Sequence, residues 1–448
     1  MSTKTHPKEE NSPNLVVGLD IGTTKIMMVM GFLREDGKIE VCGYGSAPST
    51  GVEYGLVFNV QETIDNINVA KNMLLNVTGV PFSDVYVGIA GRHIKSVSCT
   101  NSITRLNGLN NTVKCEEIDR MTNEMEQMSM PAADVISVIP QYYEVDGKCT
   151  NRPVGTLCQR VVGHYQLITG DSFEVSKIIK SVDGAKLTTS NSAKPILEPI
   201  ASAIVCLTEE EKKEGVALVD IGGGTTDLVI FSDGVPVYIK VIPVGGQVVT
   251  KDIMSLNLPY ETAENLKVRY GTCIVEKAKQ DNYITISDRS GYDNSRKISE
   301  KSLAMVINAR VAEDILKPIK SHIEASGYAD KVHHVVLTGG GSMLRDIQSL
   351  SEFVIQRHTR LGNPTNGISP TMDSALKTPI CATALGLLRY GCLAEKVFFP
   401  AVDKEGGNNQ PDPDPNPNPE PEESSLIIKK IIEWWNTIKK GINAGGVN

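Results

Sequence analysis

Apolar residues in this chain fall into short runs closed by glycine or by polar turns, a pattern that predicts buried strands. Val16-Val17-Gly18-Leu19-Asp20-Ile21 is one such run. It ends on Gly22-Thr23-Thr24-Lys25, a second strand is expected through Ile26 to Phe32, and Asp36-Gly37 turns into a third. The same order returns around Asp220. Ala217-Leu218-Val219-Asp220-Ile221 leads into Gly222-Gly223-Gly224-Thr225-Thr226-Asp227, Leu228 to Phe231 reads as the second strand, and Asp233-Gly234 turns into Val235 to Ile239. A motif that recurs with its flanking strands marks an internal duplication. Two related units with a cleft between matching loops are therefore expected.

These loops have the chemistry of phosphate binding. Glycines let the backbone approach an anion, and their N–H groups and the threonine hydroxyls can donate to its oxygens. A carboxylate at each strand end, Asp20 and Asp220, can hold a magnesium ion through water. Either loop alone reads equally well as a plain hairpin; the two together favour phosphate. A third loop, Gly339-Gly340-Gly341-Ser342, follows the strand Val335 to Thr338 and opens a helix expected from Met343 onward, a geometry that suits close approach to a nucleoside or an ordinary strand-to-helix turn. No G-x-x-x-x-G-K-[ST] occurs, and the third loop lacks the G-x-G-x-x-G spacing of dinucleotide binding. Two stretches of small residues, Glu198 to Ala203 and Ala382 to Leu387, predict helices that cross closely, either as a hinge or as ordinary tight packing.

The pattern changes after Val402. Gly406-Gly407-Asn408-Asn409 leads into a run of proline, aspartate, asparagine and glutamate over residues 403–425, which cannot pack a core and is expected to be a disordered linker. Leu426 to Ile442 is different again. At helical spacing Ile427, Ile428, Ile431, Trp434, Trp435, Ile438 and Ile442 share one face, while Lys430 and Lys439 border it. Both tryptophans of the chain lie here, which suits a water–lipid boundary better than docking on the core. The expectation is a membrane-targeting helix that meets an anionic surface. Met1 to Pro13 is polar and reads as a flexible tail rather than a signal peptide.

Composition narrows the classes further. The chain has 448 residues, 40% hydrophobic and 22% charged, with a formal net charge of −8, so no nucleic-acid partner is expected and any membrane contact must be local. Nine cysteines form no C-x-x-C pair, which fits isolated thiols in a reducing cytosol.

In this order, the two phosphate loops, the Gly339–Ser342 loop and the two small-residue helices resemble the superfamily of actin, the sugar kinases and the seventy-kilodalton heat-shock chaperones. Gly88-Ile89-Ala90-Gly91-Arg92-His93-Ile94, Pro243-Val244-Gly245-Gly246 and Ala263-Glu264-Asn265-Leu266-Lys267-Val268-Arg269-Tyr270-Gly271 are similar to the FtsA family of bacterial cell division proteins. The resemblance implies an α/β fold with two actin-like lobes, each built on a ribonuclease-H-like core. The first lobe would take residues 14–83 and 171–200, the second 201–250 and 327–395. It further implies an insert subdomain at 84–170, with a helix over Val113 to Met128 and strands over Val135 to Val145 and Gly163 to Thr169. A small subdomain of the second lobe would span 251–326.

The resemblance also implies a function. The family binds ATP and magnesium, polymerises like actin, and brings FtsZ to the cytoplasmic face of the inner membrane at the division site. By similarity, the FtsZ C-terminal tail would bind within 251–326 and later division proteins at the insert. Gly22, Thr23, Thr24, Lys25, Gly222, Gly223, Gly224, Thr225, Thr226, Gly245, Gly246, Gly339, Gly340, Gly341, Ser342 and Met343 would surround the nucleotide. Glu264 and Lys267 would line its adenine and ribose side, a solvated ion pair being their other reading. Asp20, Asp220 and Asp227 would hold the magnesium shell, and Glu198 would position a water for whatever hydrolysis occurs. A pilus-assembly relative of FtsA and a sugar-kinase-like phosphotransferase are the alternatives.

Overall fold

The structure, a computed structural model, describes residues 14–105, 112–190, 194–279, 281–286 and 296–393. The expected linker and membrane helix, residues 403–425 and 426–442, lie outside the described residues, as does the tail 1–13.

The first lobe begins with strands β1 (Val16–Ile21), β2 (Lys25–Leu33) and β3 (Ile39–Pro48), followed by the two-residue strands β4 (Val52–Glu53) and β5 (Leu56–Val57), helix α1 (Val60–Thr78) and β6 (Asp84–Ile89). Every residue of β1 is buried, Asp20 included, as expected of a largely apolar central strand. Helix α1 starts where the Asn59 side chain accepts from the N–H groups of Gln61 and Glu62, and it stops at Gly79, whose left-handed φ of 67° ends the helix.

The insert follows, with β7 (Lys95–Thr104), α2 (Cys115–Glu126), β8 (Ala133–Val145), β9 (Lys148–Thr150) and β10 (Arg160–Asp171). Its four strands form their own sheet in the order β7-β10-β8-β9. Ile118, Met121 and Met125 of α2 are buried in one cluster with Val138, Tyr143, Val161 and Tyr165. Two features differ from the sequence expectation. Asp84–Ile89 pairs in parallel with β1, so this strand belongs to the first lobe and the insert starts after it. β7 is a strand the sequence expectation does not include, although Val97, Cys99 and Ile103 alternate with polar residues and Cys99 and Ile103 pack on the insert's core.

The chain returns through α3 (Ser172–Gly184), β11 (Thr188–Thr189), β12 (Ile196–Leu197) and α4 (Glu198–Cys206). The first-lobe sheet runs β11-β6-β1-β2-β3, with β12 also on β6.

The second lobe opens with α5 (Glu209–Glu214), β13 (Val216–Ile221), β14 (Thr226–Ser232) and β15 (Val235–Ile242). Next come α6 (Gln247–Met254), α7 (Tyr260–Tyr270), the hairpin of β16 (Tyr283–Ile286) and β17 (Arg296–Ser299), α8 (Glu300–Arg310) and α9 (Lys317–Ala325). It closes with β18 (His334–Thr338), α10 (Ile347–Ile355), β19 (His358–Leu361) and α11 (Ala382–Leu393). Its sheet, β15-β14-β13-β18-β19, repeats the first lobe's order of three antiparallel strands followed by parallel ones. The registers agree as well: Ile21 lies opposite Ile26 in one lobe, and Ile221 opposite Thr226 in the other. The duplication read from the motifs is thus a duplication of the sheets.

Helices α4 and α11 join the lobes. Grouped with the second lobe by sequence, α11 in fact packs on α4 and on β1 and β2 of the first. Gly18 allows this contact, because a Cβ there would come within 2.7 Å of the Ala384 carbonyl. A Cβ on Gly386 would overlap the carbonyl of Ala201 outright. One buried cluster consequently runs from Val29 and Val41 through Ile200, Ile204, Leu385 and Leu388 to Val229 and Ile239. Gly386→Ala should lower stability by about 1–3 kcal/mol through overpacking of backbone against backbone, seen as a drop in the thermal midpoint; an unchanged midpoint would mean that the helices can part freely.

Candidate functional site

The two glycine loops have the same local geometry. The Gly22 N–H donates to the Lys25 carbonyl at 3.0 Å, and the Gly222 N–H to the Thr225 carbonyl at 2.9 Å. They also meet. A Cβ on Gly223 would overlap the Thr24 side chain, and one on Gly224 would lie 2.8 Å from Thr23 Oγ1. Gly245 and Gly246 complete the second loop, where the N–H groups of Gly246 and Gln247 donate to the Gly222 and Gly223 carbonyls, each at 2.9 Å.

The structure distinguishes among the candidate hydroxyls. Thr24 is exposed, whereas Thr23 Oγ1 accepts the Gly55 N–H at 3.1 Å. Thr225 and Thr226 are buried, and Thr226 donates to the Val244 carbonyl at 2.7 Å. The Ser342 hydroxyl is likewise committed to the Gly339 carbonyl at 2.8 Å. These last two groups hold their loops in shape.

The third loop departs from its expected form. Gly340–Met343 is a short 3-10 turn, and the α-helix begins only at Ile347, after Asp346 in the left-handed region at φ 66°. Gly339 takes φ 80°, and any side chain there would strike the Asp220 carboxylate. Gly340 is open, with nothing nearer to an added Cβ than Ile380 at 3.6 Å, and Met343 is exposed.

Glu264 and Lys267 come together three apart on α7. The ammonium of Lys267, which is buried, lies 2.8 Å from Glu264 Oε2, 2.8 Å from Thr250 Oγ1 and 3.2 Å from the Gly246 carbonyl. Thr250 also donates to Glu264 at 2.5 Å. Lys267 is therefore not solvated, whereas the Glu264 side chain stays 35% exposed. The group braces the Gly245–Gly246 turn from beneath, and Thr250 is a member that spacing alone did not flag.

Behind the loops stand four carboxylates, and the described residues set one ammonium beside them: Lys25 Nζ lies 3.3 Å from Asp20 Oδ2. Asp220 Oδ2 accepts from Ser202 at 2.7 Å and from Thr383 at 3.4 Å, side chains contributed by the two hinge helices. Asp227 Oδ1 is buried without a hydrogen-bond partner. Glu198 fits against β6 because residue 88 is glycine; a Cβ there would come within 2.8 Å of Glu198 Cγ.

Burial, reinforced by Asp20, Asp227 and Asp220, holds the Glu198 pKa well above the usual carboxylate range. Burial and Asp220 do the same to Asp227. Asp220 is pushed from 3.8 to about 6 by burial, even though Ser202 opposes the shift. Because the surroundings do not offset the cluster's full negative charge, it keeps protons that a divalent cation could replace. Among the described residues no three acidic, histidine or cysteine groups converge to ligate a metal directly.

Two duplicated lobes, a hinge of two helices and paired glycine loops define an actin-like protein of the α/β class. The PilM–PilN type IV pilus biogenesis complex matches with a TM-score of 0.59 at 18% identity, covering 84% of this chain and 98% of that one. MreB5 of Spiroplasma citri bound to ADP matches at 0.50 and 14%, covering 84% and 95%. The family model "Cell division protein FtsA" covers residues 217–386, and "SHS2 domain inserted in FTSA" covers residues 91–169. Cell division protein FtsA of Pseudomonas aeruginosa is 33% identical over 384 residues, 85% of this chain and 90% of that protein; the Bacillus subtilis protein is 29% identical over 385 residues, 85% and 84%. The chain belongs to the FtsA family of bacterial cell division proteins.

The raised carboxylates set the sign of a pH effect. A folded state that keeps its protons to higher pH than the unfolded chain loses stability as pH rises above the unfolded value. Glu198→Gln removes one such group. It should raise the thermal midpoint of the ligand-free protein at pH 7.5, and the gain should disappear as pH falls to the ordinary glutamate range; a gain independent of pH would exclude this cause.

Proposed function

We propose that the chain is a cell division adaptor that binds ATP with magnesium in the cleft, polymerises in an actin-like manner, and carries FtsZ to the cytoplasmic face of the inner membrane. The observation that supports the first step is the meeting of two equivalent glycine loops over a cluster of buried, under-compensated carboxylates. Gly22, Thr24 and Lys25 on one side and Gly223 and Gly224 on the other would face the phosphates. Gly340, Gly341 and Met343 would face the nucleoside, with Glu264 and Lys267 bracing the turn beside it. Asp20, Asp220 and Asp227 would hold magnesium through water, and the ion would neutralise polyphosphate charge. Glu198 stands where it could orient water. The nucleotide is read as a ligand of assembly, with turnover at most weak.

The remaining roles rest on the family and on sequence pattern. We assign the FtsZ C-terminal tail to residues 251–326, which hold α6 to α9 and the β16–β17 hairpin. Later division proteins are assigned to the insert. A cavity of about 360 Å³ lies between the insert and α3, lined by Met130, Ile136, Val175 and Ile179 together with Glu126, Asp134 and Lys194, and offers a mixed apolar and charged recess for a partner segment. No helix among the described residues is long and apolar enough to cross a membrane, so attachment is assigned to Leu426–Ile442, with Ile427, Ile428, Ile431, Trp434, Trp435 and Ile438 in the lipid and Lys430 and Lys439 at its anionic surface. A linker of proline-rich composition reaches about 3.1 Å per residue, enough to free the globular part from the surface. Single-helix attachment is weak, and a filament presenting many helices gains avidity.

Two measurements test this reading. Gly340→Ala introduces a methyl group that the fold accommodates but a closely bound nucleoside would meet. ATP affinity should fall about tenfold or more, the equivalent of 1.4 kcal/mol, at an unchanged thermal midpoint; undiminished affinity would remove this loop from the site. In vesicle flotation with ATP, FtsZ should float with the full chain and fail to float with a chain ending at Ser425. Flotation of this protein without FtsZ would point to another adaptor role, and flotation of neither would end the membrane assignment.

A further inference from the structure

Strands β4 and β5 form a two-stranded hairpin of their own, joined by Tyr54-Gly55. Both turn residues have positive φ, 50° and 74°, the backbone of a tight two-residue turn that ordinarily takes asparagine and glycine. A tyrosine there is strained, and strain of this kind persists where the surroundings hold it.

The surroundings are the mouth of the cleft. The Gly55 N–H donates to Thr23 Oγ1 of the first loop at 3.1 Å. A Cβ on Gly224 of the second loop would come within 3.0 Å of Tyr54 Cα, and one on Gly55 within 3.3 Å of Thr225 Cγ2. The hairpin of one lobe thus lies on the phosphate loop of the other. Beyond it the Tyr54 hydroxyl accepts a hydrogen bond from Lys251 Nζ at 3.2 Å, and that ammonium sits 5.4 Å from the ring centroid. Lys251 belongs to α6, the helix whose first N–H groups are tied to the Gly222–Gly223 carbonyls.

Neither side chain serves the core. Tyr54 is 43% exposed and Lys251 is exposed, so fold stability does not account for a strained tyrosine where asparagine would make the better turn. A contact spanning the entrance does account for it. Opening the cleft separates hairpin from helix and breaks the contact; closure restores it.

We propose that Tyr54 and Lys251 form a latch across the cleft mouth that holds the two lobes together over a bound nucleoside triphosphate and slows its release. The latch rests on the nucleotide reading given above. Its strength is that of a solvent-exposed cation–aromatic and hydrogen-bond pair, so it sets residence time without locking the ligand in.

The test uses the full chain loaded with fluorescent N-methylanthraniloyl-ATP and magnesium, chased with excess ATP, in the parent, Tyr54→Asn, Lys251→Met and the double variant. Each single change should speed release about two- to fivefold, the scale of an exposed cation–π contact, and the double variant should release no faster than the faster single one. Tyr54→Asn should do so without lowering the thermal midpoint, because asparagine suits the turn; a structural role alone would leave release unchanged. Saturable binding by the parent with unaltered release in either single variant would overturn the latch and leave the nucleotide site standing. Absence of saturable binding by the parent would overturn both.

Discussion

The crossing of α4 and α11, where Gly386 meets the Ala201 carbonyl, is the contact on which the rest of the molecule depends. Helices approach this closely only when one of them lacks side chains at the crossing point. Because they do, each can present a short hydroxyl to the same acid: Ser202 from one and Thr383 from the other reach Asp220 Oδ2. The joint between the lobes and the floor of the site are therefore one structure. Movement at the crossing would change the hydrogen bonds of Asp220.

The electrostatics of the floor explain why the cleft should answer to a ligand. Folding buries Asp20, Asp220 and Asp227 together beside Glu198, with Lys25 as counter-charge. Placing several carboxylates out of water without full compensation costs stability. On the reading proposed above, a cation brought in with an anionic ligand would offset that cost in the closed arrangement and lose its effect when the lobes part, coupling affinity to closure.

The insert participates through the same joint. Ile139 and Ile168 of its sheet share the hinge cluster with Leu197, Ile200 and Ile239, and Gln141 Nε2 donates to the Pro236 carbonyl of the second lobe at 3.1 Å. The insert, attached to one lobe, thus also rests on the other.

Much of this was legible along the chain, because some constraints are local. A strand that is buried on both sides must be apolar throughout, and a turn that brings backbone against backbone must be glycine, so the motifs around Asp20 and Asp220 announced both loops and the duplicated sheets. The edge strand Lys95–Thr104 left a fainter mark, since Val97, Cys99 and Ile103 alternate with serines and threonines but Asn101 interrupts the apolar series. No such mark was left by Thr250 beneath Gly246, the hydroxyls that hold Asp220, the reach of Tyr54 to Lys251, or the packing of Ala382–Leu393 on the first lobe. By itself, then, the sequence determined the paired loops, the strands that flank them and the family. Which side chains meet across the cleft was decided only by the tertiary structure, because residues far apart in the chain carry no shared periodicity and acquire a relation only when the lobes pack.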